Sequence, residues 1–407
     1  MSVHAGSAAF KRINRAMVFG GFSTFALLYC VQPLMPLMAH EFALTPAQSS
    51  LSLSVSTAAL AISLVLSSIA SDRVGRKPMM ITAMAGGAIL TLACAFAHTF
   101  PQLLILRALL GVALGGMPAV AMTYLGEEIE ANSLGLSMGL YIGGSAFGGM
   151  LGRVITSVIS DYFSWRYALA GMGAAALYAA WEFRRSLPAS QNFRQGQRGI
   201  AALAAGFRQH LRDPGLPWLF ALAFLLMGCF VSLYNYIAYR MLGAPFNWSQ
   251  SGVGLLSSMY LMGIFSSVWA GKLADRLGRR NVLWLVMAVM LLGLLLTLSG
   301  SPWLIVPGVG LFTFGFFASH SVASSWVGRR AREPKALASA MYLLFYYLGS
   351  SVLGSASGAA WSRAGWPGVV ALLGSVLAIS FLIALRLRTL APLEAVAPMP
   401  DAAVAAS

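Results

Sequence analysis

Apolar residues run through this sequence in long unbroken blocks, without the two-residue alternation of a half-buried strand, and short charged or Pro/Gly-marked breaks divide the blocks. A hydrocarbon layer of ~30 Å takes about 20 mostly apolar residues per crossing helix. Twelve windows of that length are present, at 16–38, 50–70, 79–98, 102–124, 134–156, 166–183, 216–238, 251–271, 281–299, 303–326, 337–360 and 367–386. The pattern therefore predicts an all-α polytopic membrane protein with twelve transmembrane helices. Lys11, Arg12 and Arg15 precede the first window as in a signal sequence. That window's apolar run is too long, and no small-residue cleavage site follows promptly, so it reads as a retained first span.

Composition agrees with this. The 407 residues are 58% hydrophobic and 10% charged, which leaves too little polar surface to wet a soluble core of this size. Cys30, Cys94 and Cys229 fall inside predicted spans and are odd in number, so they read as small apolar residues without a disulfide framework.

The net charge of +15 is informative through its placement. If the spans are numbered from the N-terminus, 22 of the 27 Lys and Arg residues fall on the side that carries the termini. The positive-inside rule then puts both termini in the cytoplasm, which an even number of spans satisfies. Basic residues scattered over short loops, with no aromatic-interleaved domain, argue against nucleic acid as a partner.

The longest polar stretch, Arg184 to Pro214, divides the chain six plus six. The expected organisation is an N-terminal bundle (1–183), a basic cytoplasmic linker (184–215), a C-terminal bundle (216–388) and a disordered cytoplasmic tail (389–407). Within the linker, "GIAALAAGFRQHL" could instead form a surface helix with Arg208 and Arg212 towards lipid headgroups. The halves repeat. Asp72, Arg73, Gly75 and Arg76 recur as Asp275, Arg276, Gly278 and Arg279, an offset of 275 − 72 = 203. Met84 and Met287, Glu130 and Glu333, and Met138 and Met341 keep the same register, so duplication explains the pattern. Gly75 and Gly278 supply residues free to take positive φ in these tight turns.

The string "SDRVGRK", repeated as "ADRLGRR", resembles the G-x-L-A-D-R-x-G-R-K/R loop between spans two and three of the major facilitator superfamily. Residues 271–280 fit throughout, whereas Ser68 and Ser71 depart from the leading Gly and the Ala in the first copy. The strings "LLYCVQPLMPLMAHEF", "GMPAVAMTYLGEEI", "MGLYIGGSAFGGMLGR", "FVSLYNYIAYR" and "ASHSVASSWVG" extend the resemblance along the chain, towards YnfM-type inner-membrane transporters in the drug/proton antiporter branch. The resemblance implies two pseudo-symmetric six-helix bundles in a bacterial inner membrane, working as a monomer without cofactor or metal. It also implies that the charged loops form a cytoplasmic gating latch. Asp72 would engage the half-interface near the start of span eleven, and Arg73 and Arg76, with Lys77 beside them, would meet Glu127 and Glu128. Asp275, Arg276, Arg279 and Arg280 form the second copy.

Ionisable groups at membrane depth are costly and mark function by default. Arg107, in "RALLGVALGG", is similar to the R-x-x-x-G element of proton-coupled members. The alternative for it is an outward-snorkelling anchor. His320 is the mid-membrane group able to gain a proton near neutral pH without a large shift. No acid lies mid-span, which departs from many drug/proton antiporters. Gly139, Gly143, Gly144, Gly148, Gly149 and Gly152 follow a four-residue rhythm that places small surfaces on span five, where the family carries an antiporter element, here without its proline. Spans one, four, seven and ten line the pathway in this family. Tyr29 and Gln32 share a face of span one just before Pro33 and Pro36, while Tyr234, Asn235, Ser324 and Tyr346 add aromatic and uncharged polar groups.

The sequence thus points to an alternating-access secondary transporter that exports a small organic solute, neutral or anionic, against proton entry. The alternatives are a metabolite symporter or uniporter and, more remotely, a polytopic membrane enzyme. For the last, five scattered histidines supply no catalytic cluster.

Overall fold

The computed structural model describes residues 3–193, 200–332 and 334–390, so nearly all of the expected tail, and Glu333 of the repeat, lie outside the described residues. Within these bounds the chain is almost wholly helical. The membrane helices are α1 Ala8–Glu41, α2 Pro46–Val74, α3 Arg76–Cys94, α4 Phe100–Glu128, α5 Ala131–Tyr162, α6 Trp165–Ser186, α7 Leu216–Leu242, α8 Gln250–Leu277, α9 Arg279–Leu296 and α10 Pro302–Arg330. The final helical segment breaks at Ala364 and Gly365, where Gly365 takes φ 58°, into α11 (335–363) and α12 (366–389).

Ten described segments are long and apolar enough to cross a membrane by composition alone, one of them being the α11–α12 pair. α6 is the twelfth helix: its 22 residues reach about 33 Å, but Glu182, Arg184 and Arg185 dilute its hydropathy.

Local chemistry fixes the helix ends. Thr45 and Thr99 close capping boxes with Gln48 and Gln102, starting α2 and α4. Gly75 (φ 99°) and Gly278 (φ 83°) make the sharp α2–α3 and α8–α9 turns, in a backbone region that side chains rarely adopt. α1 is interrupted. Its first part ends at Tyr29, a 3-10 turn covers Gln32–Leu34, and the helix resumes at Met35, because Pro33 and Pro36 remove backbone donors there.

Each half packs one pair of helices at backbone contact. A Cβ on Gly144, Gly148 or Gly152 of α5 would stand 2.8, 2.1 or 2.8 Å from the α1 backbone at Val18, Phe22 and Ala26. Gly349 of α11 would meet the Phe224 carbonyl of α7 at 1.9 Å, the same arrangement in the second half. The expected single glycine face is therefore corrected. Gly139 and Gly143 face open space and Gly149 faces Arg153, since a 100° turn per residue carries these positions off the α1 contact.

The halves meet on the side remote from the termini, through hydroxyls and amides. Ser49 Oγ lies 2.6 Å from the Tyr239 hydroxyl, Ser355 Oγ donates to Ser54 Oγ at 2.7 Å, and Ser351 Oγ donates to the Ser54 carbonyl at 2.8 Å. Asp161, ending α5, accepts from the Gln250 and Ser251 N–H groups that begin α8, at 3.2 and 3.1 Å. On the termini side, Ile200–Leu211 of the linker forms a helix whose His210 Nε2 lies 3.2 Å from the Pro334 carbonyl.

Candidate functional site

The far-side contacts close one end of the space between the halves, and a cavity of about 350 Å³ occupies the rest. Its walls come from both bundles: α1, α4 and α5 on one side, and α7, α8, α10 and α11 on the other. It runs from Arg153 and Phe230 to Ser339 and Val327 near the termini-side helix ends, where the lining residue Ser339 is exposed. Aromatic rings line much of the wall. Phe230 stacks on Phe316 at 3.9 Å between ring centroids, Phe317 stands edge-on to Phe230, and Tyr260 stands edge-on to Phe317.

The deep end holds a cation. Arg153 is 2% exposed, and its guanidinium lies over the rings of Tyr29 (4.5 Å), Tyr260 (4.8 Å) and Tyr234 (5.8 Å). Nε donates to Gln32 Oε1 and Nη1 to the Gly149 carbonyl, both at 2.6 Å. Gln32 in turn donates from Nε2 to Asn235 Oδ1 of the other half, at 2.6 Å. Arg153 thus touches both the cavity and the hydrogen bond that closes it.

Tyr29, His320, Ser324 and Tyr346, expected along the pathway, do line the cavity. His320 Nδ1 lies 3.0 Å from the Tyr342 hydroxyl, and its ring packs on Phe316 and Tyr346. Tyr234 flanks Arg153 and bonds Thr313, whereas Gln32 and Asn235 belong to the far-side closure.

Arg107 lies away from the cavity wall and neither snorkels nor faces solute. It is 1% exposed and donates to the carbonyls of Ser52, Leu27 and Leu28 at 2.9, 3.1 and 2.6 Å. Two of those acceptors are carbonyls left over where α1 breaks, so Arg107 caps an interrupted helix from its neighbour. Composition gave no reason to prefer Arg107 over Arg153. The signal for Arg153 lay in the string "GGSAFGGMLGR", an arginine one turn beyond the glycines that face it.

The charged loops are engaged, each within its own half. Arg76 donates to Asp72 at 2.7 Å and to Glu127 at 2.8 Å, and also bonds Ser71. Lys77 donates to the Leu187 carbonyl. In the second copy, Asp275 accepts from Arg279 and Arg329 at 2.9 and 3.2 Å, and Arg280 bonds the Arg388 carbonyl. Three of the expected contacts are not made among the described residues in this arrangement, whose mouth is on the termini side. Asp72 pairs with Arg76 within its own half. Arg73, like Arg276, is exposed and makes no ion pair among the described residues. Glu128 accepts from the Ser190 hydroxyl and the Gln191 and Asn192 N–H groups of the linker, at 2.7, 2.8 and 3.0 Å.

The chain matches the Major Facilitator Superfamily over residues 17–240 and 235–405. It is 50% identical over 386 residues to "Inner membrane transport protein YnfM" of Escherichia coli (strain K12), covering 95% of this chain and 93% of that protein. It is 43% identical over 378 residues to "Uncharacterized MFS-type transporter YybF" of Bacillus subtilis (strain 168), covering 93% and 94% of the two chains. Among solved structures, a bacterial homolog of the human lysosomal transporter Spinster, inward-facing and occupied, superposes with TM-score 0.77 at 12% identity, covering 94% of this chain and 97% of that one.

Proposed function

Because this chain belongs to the major facilitator superfamily, a family of membrane transporters, we propose that it carries a small organic solute by alternating access, exporting it in exchange for entering protons. The observation that carries the reading is the cavity shared by the two bundles, closed by inter-half hydrogen bonds on the far side and reaching exposed Ser339 on the termini side. With the positive loops taken as cytoplasmic, that mouth faces the cytoplasm of a bacterial cell, the side from which an exporter loads. His320 is the proposed proton carrier, since it faces the cavity and holds Tyr342. The charged loops would then steady each half while the mouth opens.

A symporter or uniporter is the second reading, favoured by the lack of any Asp or Glu among the cavity-lining residues. Solute counterflow in proteoliposomes under pH gradients of either sign separates the two. Exchange with protons predicts accumulation driven by an opposing proton gradient and lost in His320→Ala; a uniporter shows counterflow indifferent to the gradient.

A further inference from the structure

Buried arginines elsewhere in this protein have their charge or their donors answered. Arg76 faces Asp72 and Glu127, Arg330 faces Asp213 at 2.5 Å, and Arg107 is spent on three helix carbonyls. Arg107 and Arg153 both lack a carboxylate partner among the described residues, but of the two only Arg153 lines the cavity, where its hydrogen bonds go to two neutral oxygens and its faces meet tyrosine rings. Neutral oxygens and ring quadrupoles solvate a cation without cancelling its charge, and a buried uncompensated charge costs several kcal/mol. A charge of this kind that faces a cavity marks a binding function by default.

Arg153 also stands outside the duplication. At the repeat offset its counterpart is Ala356, so the two-fold architecture does not require a cation here. It points into a cavity rich in aromatic rings, and nothing acidic lines that cavity to compete for it.

We propose that Arg153 is the recognition site for the carboxylate of the transported solute, an organic monoanion whose flat apolar body lies against Phe230, Phe316 and Tyr260. A guanidinium offers a planar fork that matches a carboxylate in two parallel hydrogen bonds, and the stacked rings suit a planar body. The carboxylate supplies the missing counter-charge and competes with Gln32 Oε1 for the Nε donor. The assignment rests on the transporter reading above and narrows its solute to one charge class. Cations are excluded by repulsion from Arg153.

The test uses the full-length protein in nanodiscs, with 2-naphthoate, its neutral amide 2-naphthamide and the cation tetraphenylphosphonium as probes, read by thermal shift. Wild type is expected to be stabilised by 2-naphthoate and not by the other two. Arg153→Gln is expected to weaken 2-naphthoate binding roughly 10- to 100-fold, and Arg153→Lys less, since charge survives without the fork. Should Arg153→Gln fail to fold, the wild-type preference among the three probes decides alone. Equal or stronger stabilisation by amide or cation, full affinity in Arg153→Gln, or no shift with 2-naphthoate overturns the assignment. A cysteine at Ser339, labelled in inverted vesicles, keeps the two readings apart. If the amide or the cation protects it while 2-naphthoate does not, the cavity still binds solute from that side and only the carboxylate assignment falls.

Discussion

Gln32 and Asn235 are joined by a 2.6 Å hydrogen bond, and the 203 residues between them equal the interval that relates the two charged loops. They are counterparts in the duplicated halves, so the contact lies where the pseudo-symmetry axis passes between the bundles. Asn235 continues to the Gly354 carbonyl, and Gln32 continues to Arg153. Gln32→Ala or Asn235→Ala is expected to loosen the far-side closure by about 1 kcal/mol, roughly a fivefold shift in population. Labelling of Ala47→Cys by an impermeant maleimide in intact cells would rise accordingly; unchanged labelling would remove these amides from the closure.

Arg107 predicts a stability effect. Arg107→Ala removes a buried donor from the Leu27 and Leu28 carbonyls at the α1 break and from the Ser52 carbonyl of α2, and is expected to cost about 2–4 kcal/mol, seen as a lower melting temperature. Solute affinity per folded molecule should change little. A stable variant with altered proton coupling would show that Arg107 has a transport role instead.

Close packing of α5 on α1 makes Gly148 intolerant. A methyl there would lie 2.1 Å from the Phe22 carbonyl oxygen, so Gly148→Ala must part the two backbones at a cost of about 1–3 kcal/mol. Gly143→Ala has open space and should be neutral or slightly stabilising. Equal melting temperatures for the two variants would contradict this packing.

The linker carries a pH dependence. Burial raises the Asp213 carboxyl, but hydrogen bonds from Arg330 and from the Gly215 and Leu216 N–H groups outweigh it and hold the group below its ordinary value of 3.8. A depressed carboxylate stabilises the fold fully above its ordinary pKa and loses that contribution as pH falls through the lowered one. The melting-temperature advantage of wild type over Asp213→Asn should therefore be whole at neutral pH and disappear in acid. An advantage that grew on acidification would reverse the sign.

The membrane helices, the repeat and the α1 break were legible because each is written locally: apolar runs, a recurring charged string, two prolines. The cavity was half legible. Tyr29, His320 and Ser324 carry polar or aromatic chemistry on spans one and ten, which line the pathway in the family, and Tyr346 adds an aromatic ring from α11. Arg153 was passed over because an arginine near a span end is ordinarily an anchor, and only the packing of Gly144, Gly148 and Gly152 on α1 turns this one inward. The surroundings of Arg107 were not legible. Its backbone acceptors exist because α1 stops at Tyr29, and a partner made of carbonyls leaves no trace in side-chain identity.

The meeting line of α2 and α11 is built from Ser50, Ser54, Ser351 and Ser355. A hydroxyl that loses a protein partner and gains water trades one hydrogen bond for another of similar strength, so such a line parts and re-forms at small net expense. Carboxylates and guanidiniums in the same place would grip more tightly when dry and resist each separation. Along this line the protein holds α2 and α11 together by the number of weak clasps, each of which yields to water at little cost.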